Sequence, residues 1–224
     1  MNITRGVRYL SKYLYRGIQR SLHNDYKMTS SALVTANDYG DDKYMVWLDM
    51  EMTGLDVENS HILEIACLIT DEKLTSADDY LSIIIHQPNE VLENMTDWCK
   101  VQHKKTGLIA ACQSSNITLK EAEVMTLKYL KNNIPSKVCP LAGNSVHIDR
   151  MFLRKYMPLV DDYLHYRIID VSTIRELARR WHPSVYRAAP KKNYSHRAVH
   201  DVKDSINELY YYKEHCFYRN NKDS

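Results

Sequence analysis

The 224-residue chain reads as an α/β protein built on a mixed β-sheet. Two observations carry that reading. Three apolar, strand-like runs come first, joined by short polar links, as in an antiparallel meander. Helical patterns then alternate with short apolar runs, which adds further strands and covers the sheet with helices. Hydrophobic residues make up 44% and charged residues 26%, a composition that supports a core without disulfide or zinc staples.

The elements follow in order. Residues 44–52, around the apolar run Met45-Val46-Trp47-Leu48, form the first strand, with a Thr-Gly turn beyond it. Residues 61–70 form the second strand and 80–86 the third. Thr118-Leu119-Lys120-Glu121 is a capping box opening a helix that reaches Leu130. Residues 138–141 are a fourth strand. Residues 144–156 are helical and stopped by Pro158. Residues 166–171 form a fifth strand. Thr173-Ile174-Arg175-Glu176 caps a helix ending near Pro183, and a long helix runs from 197 to 217.

No apolar stretch approaches the roughly 20 residues needed to cross a bilayer, so no membrane insertion is expected. The five cysteines form no C-x-x-C pair, which argues against a zinc site. Their odd number fits a reducing compartment. The net charge of +2 is unevenly spread. Residues 1–27 hold six basic residues against Asp25, which leaves the rest of the chain at −3. On a helical wheel Val7, Leu10, Leu14 and Ile18 share one side, opposite Arg5, Arg8, Lys12, Arg16 and Arg20. An amphipathic, Arg-rich, acid-poor start is expected of a mitochondrial targeting leader; a basic surface helix has the same pattern. Residues 28–42 read as a linker, and Met28 could begin a shorter cytosolic form. The net-negative body lacks the basic footprint of a protein that wraps long nucleic acid.

Three acidic signals point to chemistry. Asp49 and Glu51 are two apart on the first strand, so both project from one face of it. Paired carboxylates repel each other and resist desolvation, and a hard cation such as Mg²⁺ or Mn²⁺ removes both objections. Alone, the pair more readily describes a strand end with one acid capping it and one facing water. Asp149 follows the turn Gly143-Asn144-Ser145, at a strand-to-helix junction where α/β proteins gather ligands. By itself it is as readily a helix-dipole partner. In His196-Arg197-Ala198-Val199-His200-Asp201, one helix would set His196 and Asp201 about 140° apart. His196 is therefore expected on the entry loop and Asp201 inside the helix. The preceding loop, 188–195, is polar and expected to be mobile. A histidine there, neutral near physiological pH, is placed to act as a general base.

Together these residues resemble the oligoribonuclease branch of the DEDDh 3′-to-5′ exonuclease family. The likeness covers nearly all of residues 44–218. It is densest in Trp47-Leu48-Asp49-Met50-Glu51-Met52-Thr53-Gly54-Leu55-Asp56, Phe152-Leu153-Arg154-Lys155-Tyr156-Met157-Pro158, His165-Tyr166-Arg167-Ile168-Ile169-Asp170-Val171-Ser172-Thr173 and Glu176-Leu177-Ala178-Arg179-Arg180-Trp181. The resemblance implies a ribonuclease-H-like mixed five-stranded sheet flanked by helices, occupying residues 43–218 ahead of a polar tail, 219–224. It implies two divalent cations held by Asp49, Glu51, Asp149 and Asp201, with His196 as the base. It further implies that Leu55 wedges between two bases and that Trp98 stacks on one. His103, Ser145 and Arg167 would cap a 5′ phosphate. Tyr166 would reach the site of a partner subunit, so a homodimer is implied. Read without the resemblance, Leu55 and Trp98 are ordinary core residues.

The expected activity is exoribonucleolytic: very short oligoribonucleotides, dinucleotides above all, cut to nucleoside 5′-monophosphates. A matrix location follows from the leader. Trimming of longer RNA or DNA ends and a catalytically silent RNA-binding module are the alternatives. The chain departs from the family pattern at His200, where a second acid usually precedes the metal-binding Asp201.

Overall fold

The structure, a computed structural model, describes residues 43–191 and 196–217, without the side chains of Ala77 and Asp78. The expected leader, linker and tail, and residues 192–195 of the expected mobile loop, lie outside these residues.

Three strands open the fold: β1 (Met45–Met52), β2 (Ile62–Thr70) and β3 (Ser76–Ile84). Three short helices follow, α1 (Asn89–Glu93), α2 (Asp97–Lys105) and α3 (Leu108–Ser114), then the longer α4 (Leu119–Asn133). The chain continues through β4 (Leu141–Gly143), α5 (His147–Tyr156), α6 (Pro158–Tyr163) and β5 (Ile168–Asp170). It finishes with α7 (Val171–Trp181), α8 (Pro183–Ala188), α9 (Ala198–Tyr212) and a π-helical turn, Lys213–Phe217. The sheet order is β3-β2-β1-β4-β5. β2 is antiparallel to both β1 and β3, while β4 is parallel to β1 and β5. This is the expected mixed five-stranded sheet.

β1 sits at the middle and is covered on both faces. Its alternation explains where the acids go. Val46, Leu48 and Met50 enter a core with Phe152, Leu153 and Leu130 from the helices on one side. Trp47 faces the other way, into a cluster with Ala198, Val202 and Ile206 of α9 and Val171 of α7. Its indole N–H is satisfied by the Thr70 hydroxyl at 2.9 Å. Asp49 and Glu51 follow Trp47 at intervals of two, so strand periodicity aims them at the side where α9 lies. A third apolar cluster, Leu63, Leu92, Met95, Cys99, Leu108 and Cys112, seats α1 to α3 on β2.

The capping box at Thr118 is present. Its hydroxyl accepts from the Glu121 N–H at 3.2 Å, and Glu121 accepts from the Thr118 N–H at 2.8 Å. Other boundaries differ from expectation for local reasons. β4 starts at Leu141 rather than 138, because Pro140 has no N–H for a ladder; its carbonyl instead receives the Val46 N–H at 3.0 Å. The helix expected from 144 begins at His147, since Ser145 adopts φ 52°. Pro158 does more than stop that helix, because it occupies the first turn of α6, where its missing N–H costs nothing. The helix expected to be capped at Thr173 starts at Val171: the Asp170 carboxylate receives the Ser172 N–H at 3.0 Å. Residues 89–114 carried no assigned elements in the sequence reading and hold three helices of 5 to 9 residues.

Candidate active site

The C-terminal end of β1 and the first turn of α9 meet. Asp49, Glu51 and Asp201 each offer a carboxylate oxygen within 4.8 Å of the other two. His196 precedes α9 on the loop, as expected, with Arg197 as the helix N-cap residue. Asp149, in the first turn of α5, is 5% exposed. Its Oδ1 accepts the Met50 backbone N–H at 2.9 Å, between the two β1 acids in sequence. It therefore borders the three-carboxylate cluster from the α5 side.

Electrostatics mark the same place. Burial, then the charges of Asp201, Glu64 and Asp149, push Glu51 up to about 8. Burial also raises Asp149 well above the usual carboxylate range, with Asp170 adding to the effect. Such groups are costly to ionise together and become ordinary carboxylates beside a cation. Oxygen donors alone suit a hard divalent ion. The residues present fit one.

Around the cluster, Trp98 on α2 is 59% exposed and meets His196 edge-on, with ring centroids 5.2 Å apart. Leu55, just past the β1 turn, is 71% exposed. Neither is a core residue. The Thr53 carbonyl receives the Thr96 N–H at the start of α2, which ties the turn before Leu55 to the helix that presents Trp98. Five residues beyond Trp98, His103 is buried. Its Nε2 lies 2.9 Å from the Met52 carbonyl and its Nδ1 3.7 Å from Glu51 Oε2. A carbonyl accepts only, so Nε2 carries the hydrogen and Nδ1 is left without a hydrogen-bond partner among the described residues. Burial holds this ring below the usual histidine range.

Ser145 opens the other flank. Its N–H donates to Asp170 Oδ1 and to the Ser172 hydroxyl oxygen, each at 2.9 Å. Ser172 in turn donates to Asn144 Oδ1 at 3.1 Å, and the Asn144 amide donates to buried Glu208 at 3.1 Å. This run fixes the left-handed turn at Ser145. Tyr166 is 74% exposed beside edge strand β5, and the Arg167 guanidinium lies over its ring at 5.1 Å. Neither touches the carboxylate cluster through a described contact.

Sequence reasoning missed Ser172, Glu64 and Arg197. Glu64 is fully buried on β2 and pairs in register with Glu51. The Arg197 guanidinium grips its carboxylate at 3.0 Å from both Nε and Nη2. A lone acid inside the apolar run Ile62-Leu63-Glu64-Ile65 was the signal.

Residues 46–209 match the family model described as "Exonuclease". A fruit fly (Drosophila melanogaster) protein named "Probable oligoribonuclease" is 52% identical over 178 residues, 80% of this chain and 84% of that protein. The human "Oligoribonuclease, mitochondrial" is 53% identical over 77% of this chain and 73% of its own length. The "Oligoribonuclease" of Pasteurella multocida is 46% identical over 78% of this chain and 95% of that protein. Among solved structures, an exonuclease I superposes with a TM-score of 0.62 at 11% identity, over 77% of this chain. The exonuclease I of Methylocaldum szegediense gives 0.59 at 15% identity. The chain spans about 41% of the length of these two structures, which speak for the fold alone. Carboxylate cluster, sheet order and relatives agree: this chain belongs to the oligoribonuclease family of 3′-to-5′ exoribonucleases.

Proposed function

We propose that the enzyme degrades diribonucleotides and slightly longer RNA fragments from the 3′ end, releasing nucleoside 5′-monophosphates. Two Mg²⁺ or Mn²⁺ ions would be held by Asp49, Glu51, Asp149 and Asp201. When bound, such ions polarise the scissile phosphate and acidify the attacking water. His196 accepts the proton of that water. Trp98 stacks on one base and Leu55 inserts between the two. Ser145 and Arg167 take the 5′ phosphate, with Ser172 beside them. His103 serves the same phosphate through Nδ1 when protonated, a state that an anionic ligand favours.

The observation that carries this reading is the exposed Trp98 ring set against His196. A stacking platform that close to the base would set a terminal nucleotide at the reacting centre. The test is turnover of a labelled diribonucleotide, with and without Mg²⁺ or Mn²⁺, against a twenty-nucleotide RNA. Metal-dependent preference for the dinucleotide is expected; preference for the longer RNA rejects the reading.

The same proposal covers assembly and location. Tyr166 stands exposed beside edge strand β5 and would complete the site of a second copy in a homodimer. Light scattering of the purified protein tests this. The leader at residues 1–27 would carry the chain to the mitochondrial matrix, as the names of the human, bovine and mouse relatives suggest, and a start at Met28 would leave it in the cytosol. Residues 1–27 fused to a fluorescent protein, imaged in cells, decide that point.

A further inference from the structure

The loop that carries Leu55, residues 53–61, is held by two sets of bonds, and the second comes from the helix that carries Asp149. The first set gives the loop its shape. The Thr53 N–H donates to the His61 carbonyl at 3.0 Å, and the Thr53 hydroxyl accepts the His61 N–H at 2.9 Å, which closes it. Within it, the Asp56 carboxylate accepts the Glu58 N–H at 2.9 Å and the Asn59 side-chain amide at 2.7 Å. The Asp56 carbonyl accepts the Ser60 N–H at 2.8 Å. Bonds inside a loop set its conformation, not its distance from the carboxylate cluster.

The second set reaches the loop from the end of α5. The Tyr156 hydroxyl donates to the Val57 carbonyl at 2.9 Å. The Lys155 ammonium donates to the same carbonyl at 2.9 Å, to the Glu58 carbonyl at 3.1 Å and to Glu58 Oε2 at 2.9 Å. Both lone pairs of the Val57 carbonyl, two residues from Leu55, are therefore taken by α5. The Tyr156 ring stacks on fully buried Phe152, one turn earlier, with centroids 5.8 Å apart, which aims the hydroxyl. Asp149 lies two turns before Tyr156, on the same side of the helix to within about 20° and about 10 Å back along its axis. One rigid element thus holds a candidate cation ligand at its start and the Leu55 loop at its end. The bond from Thr96 to the Thr53 carbonyl and the packing of the Val57 side chain against the main core hold the same loop, so losing the α5 bonds loosens it without releasing it.

We propose that α5 is a strut spacing the wedge from the metal site: Lys155 and Tyr156, by gripping the Val57 and Glu58 carbonyls, set where Leu55 stands relative to cations at Asp149, and so set the fit of a dinucleotide. The strut rests on Leu55 being the wedge. Lys155 and Tyr156 are positioning residues; both act through Leu55, and neither touches substrate in this assignment.

Dependence on Leu55 separates the strut from a merely structural set of bonds. The measurement is a mutant cycle on the full-length enzyme with a labelled diribonucleotide under saturating Mn²⁺. Tyr156→Phe keeps the ring and its stack and removes the hydroxyl; Lys155→Met removes the ammonium. Together they should raise KM at least fivefold, leave kcat within about twofold, and leave Mn²⁺ binding by calorimetry unchanged. Lys155→Arg, which keeps N–H donors for the two carbonyls, should hold KM within about twofold of the parent. In a Leu55→Ala background the paired substitution should raise KM less than about twofold further, because residues acting as a unit are not additive. Equal fold-changes in both backgrounds, or an unchanged KM in the Leu55 enzyme, overturn the strut. Should the paired variant melt below the assay temperature, the cycle is run with Tyr156→Phe alone, with a rise of at least threefold expected, and the same outcomes decide. An active parent whose Leu55→Ala variant keeps its KM would reject the wedge, and the strut with it, while leaving the substrate reading intact. A parent inert toward the diribonucleotide would reject the substrate reading itself.

Discussion

Adding Mg²⁺ or Mn²⁺ to the metal-free enzyme should expel protons near neutral pH. Glu51, pushed up to about 8 by burial and by Asp201, Glu64 and Asp149, is about 90% protonated at pH 7 and about 10% at pH 9. A cation needs the ionised form, so occupancy at pH 7 displaces close to one proton from Glu51. Asp149, also raised above its usual range, adds to the count, giving between one and two in total. Calorimetric titration in buffers of different ionisation enthalpy measures this number directly. The release should shrink between pH 7 and pH 9, and Glu51→Gln should remove about one proton from it. Stability should follow the same logic. Glu51 has a higher pKa folded, about 8, than the ordinary glutamate value of 4.5, so the native state holds the extra proton between those values. The metal-free protein therefore loses stability as pH rises through that window, by about 1.4 kcal/mol per pH unit for one proton, and the cation abolishes the loss. A proton release indistinguishable from zero at pH 7, or equal at pH 7 and pH 9, would refute the reasoning.

Three further outcomes are expected. Trp98→Ala should raise KM for the diribonucleotide by the ~1–3 kcal/mol of a base–aromatic stack, while leaving the melting temperature nearly unchanged because the ring is 59% exposed. Gly143→Ala should destabilise by ~1–3 kcal/mol in thermal unfolding: the new Cβ would stand 2.8 Å from the Leu48 carbonyl, and β1 must shift just before Asp49. Thr118→Ala should cost ~1 kcal/mol by denaturant titration with kcat/KM unchanged, since the capping box it breaks lies on α4, away from the carboxylate cluster.

Elements with a local rule were legible in the sequence. Strand periodicity sent Asp49 and Glu51 to one face, and the 140° argument put His196 outside the helix that carries Asp201. The Thr118 capping box needed four residues and formed as written. Features set by distant partners were not legible. Asp170 won the start of α7 from Thr173 because its carboxylate bonds Ser172 and also Ser145 across the sheet edge. Ser145 fell inside the helix expected over 144–156, yet its backbone conformation is dictated by side chains 25 and 27 positions later. Glu64 read as one acid in an apolar strand, since nothing local announces that an arginine 133 positions on will bury with it. His103 was expected among phosphate ligands on likeness alone; its neighbours, Met52 and Glu51, are reached only through the tertiary fold.

The span between the first and last acids of the cluster bears on how a cell makes such an enzyme safely. Asp49 and Glu51 emerge early in synthesis, whereas Asp201 arrives about 150 residues later, on the closing helix. A nascent polypeptide on the ribosome, surrounded by RNA, holds no complete carboxylate cluster until that helix has left the exit tunnel and docked on Trp47. Under the proposed metal assignment, hydrolytic power would be withheld from every unfinished product, and a frameshift upstream of the final helix would yield an inert fragment rather than an unregulated nuclease.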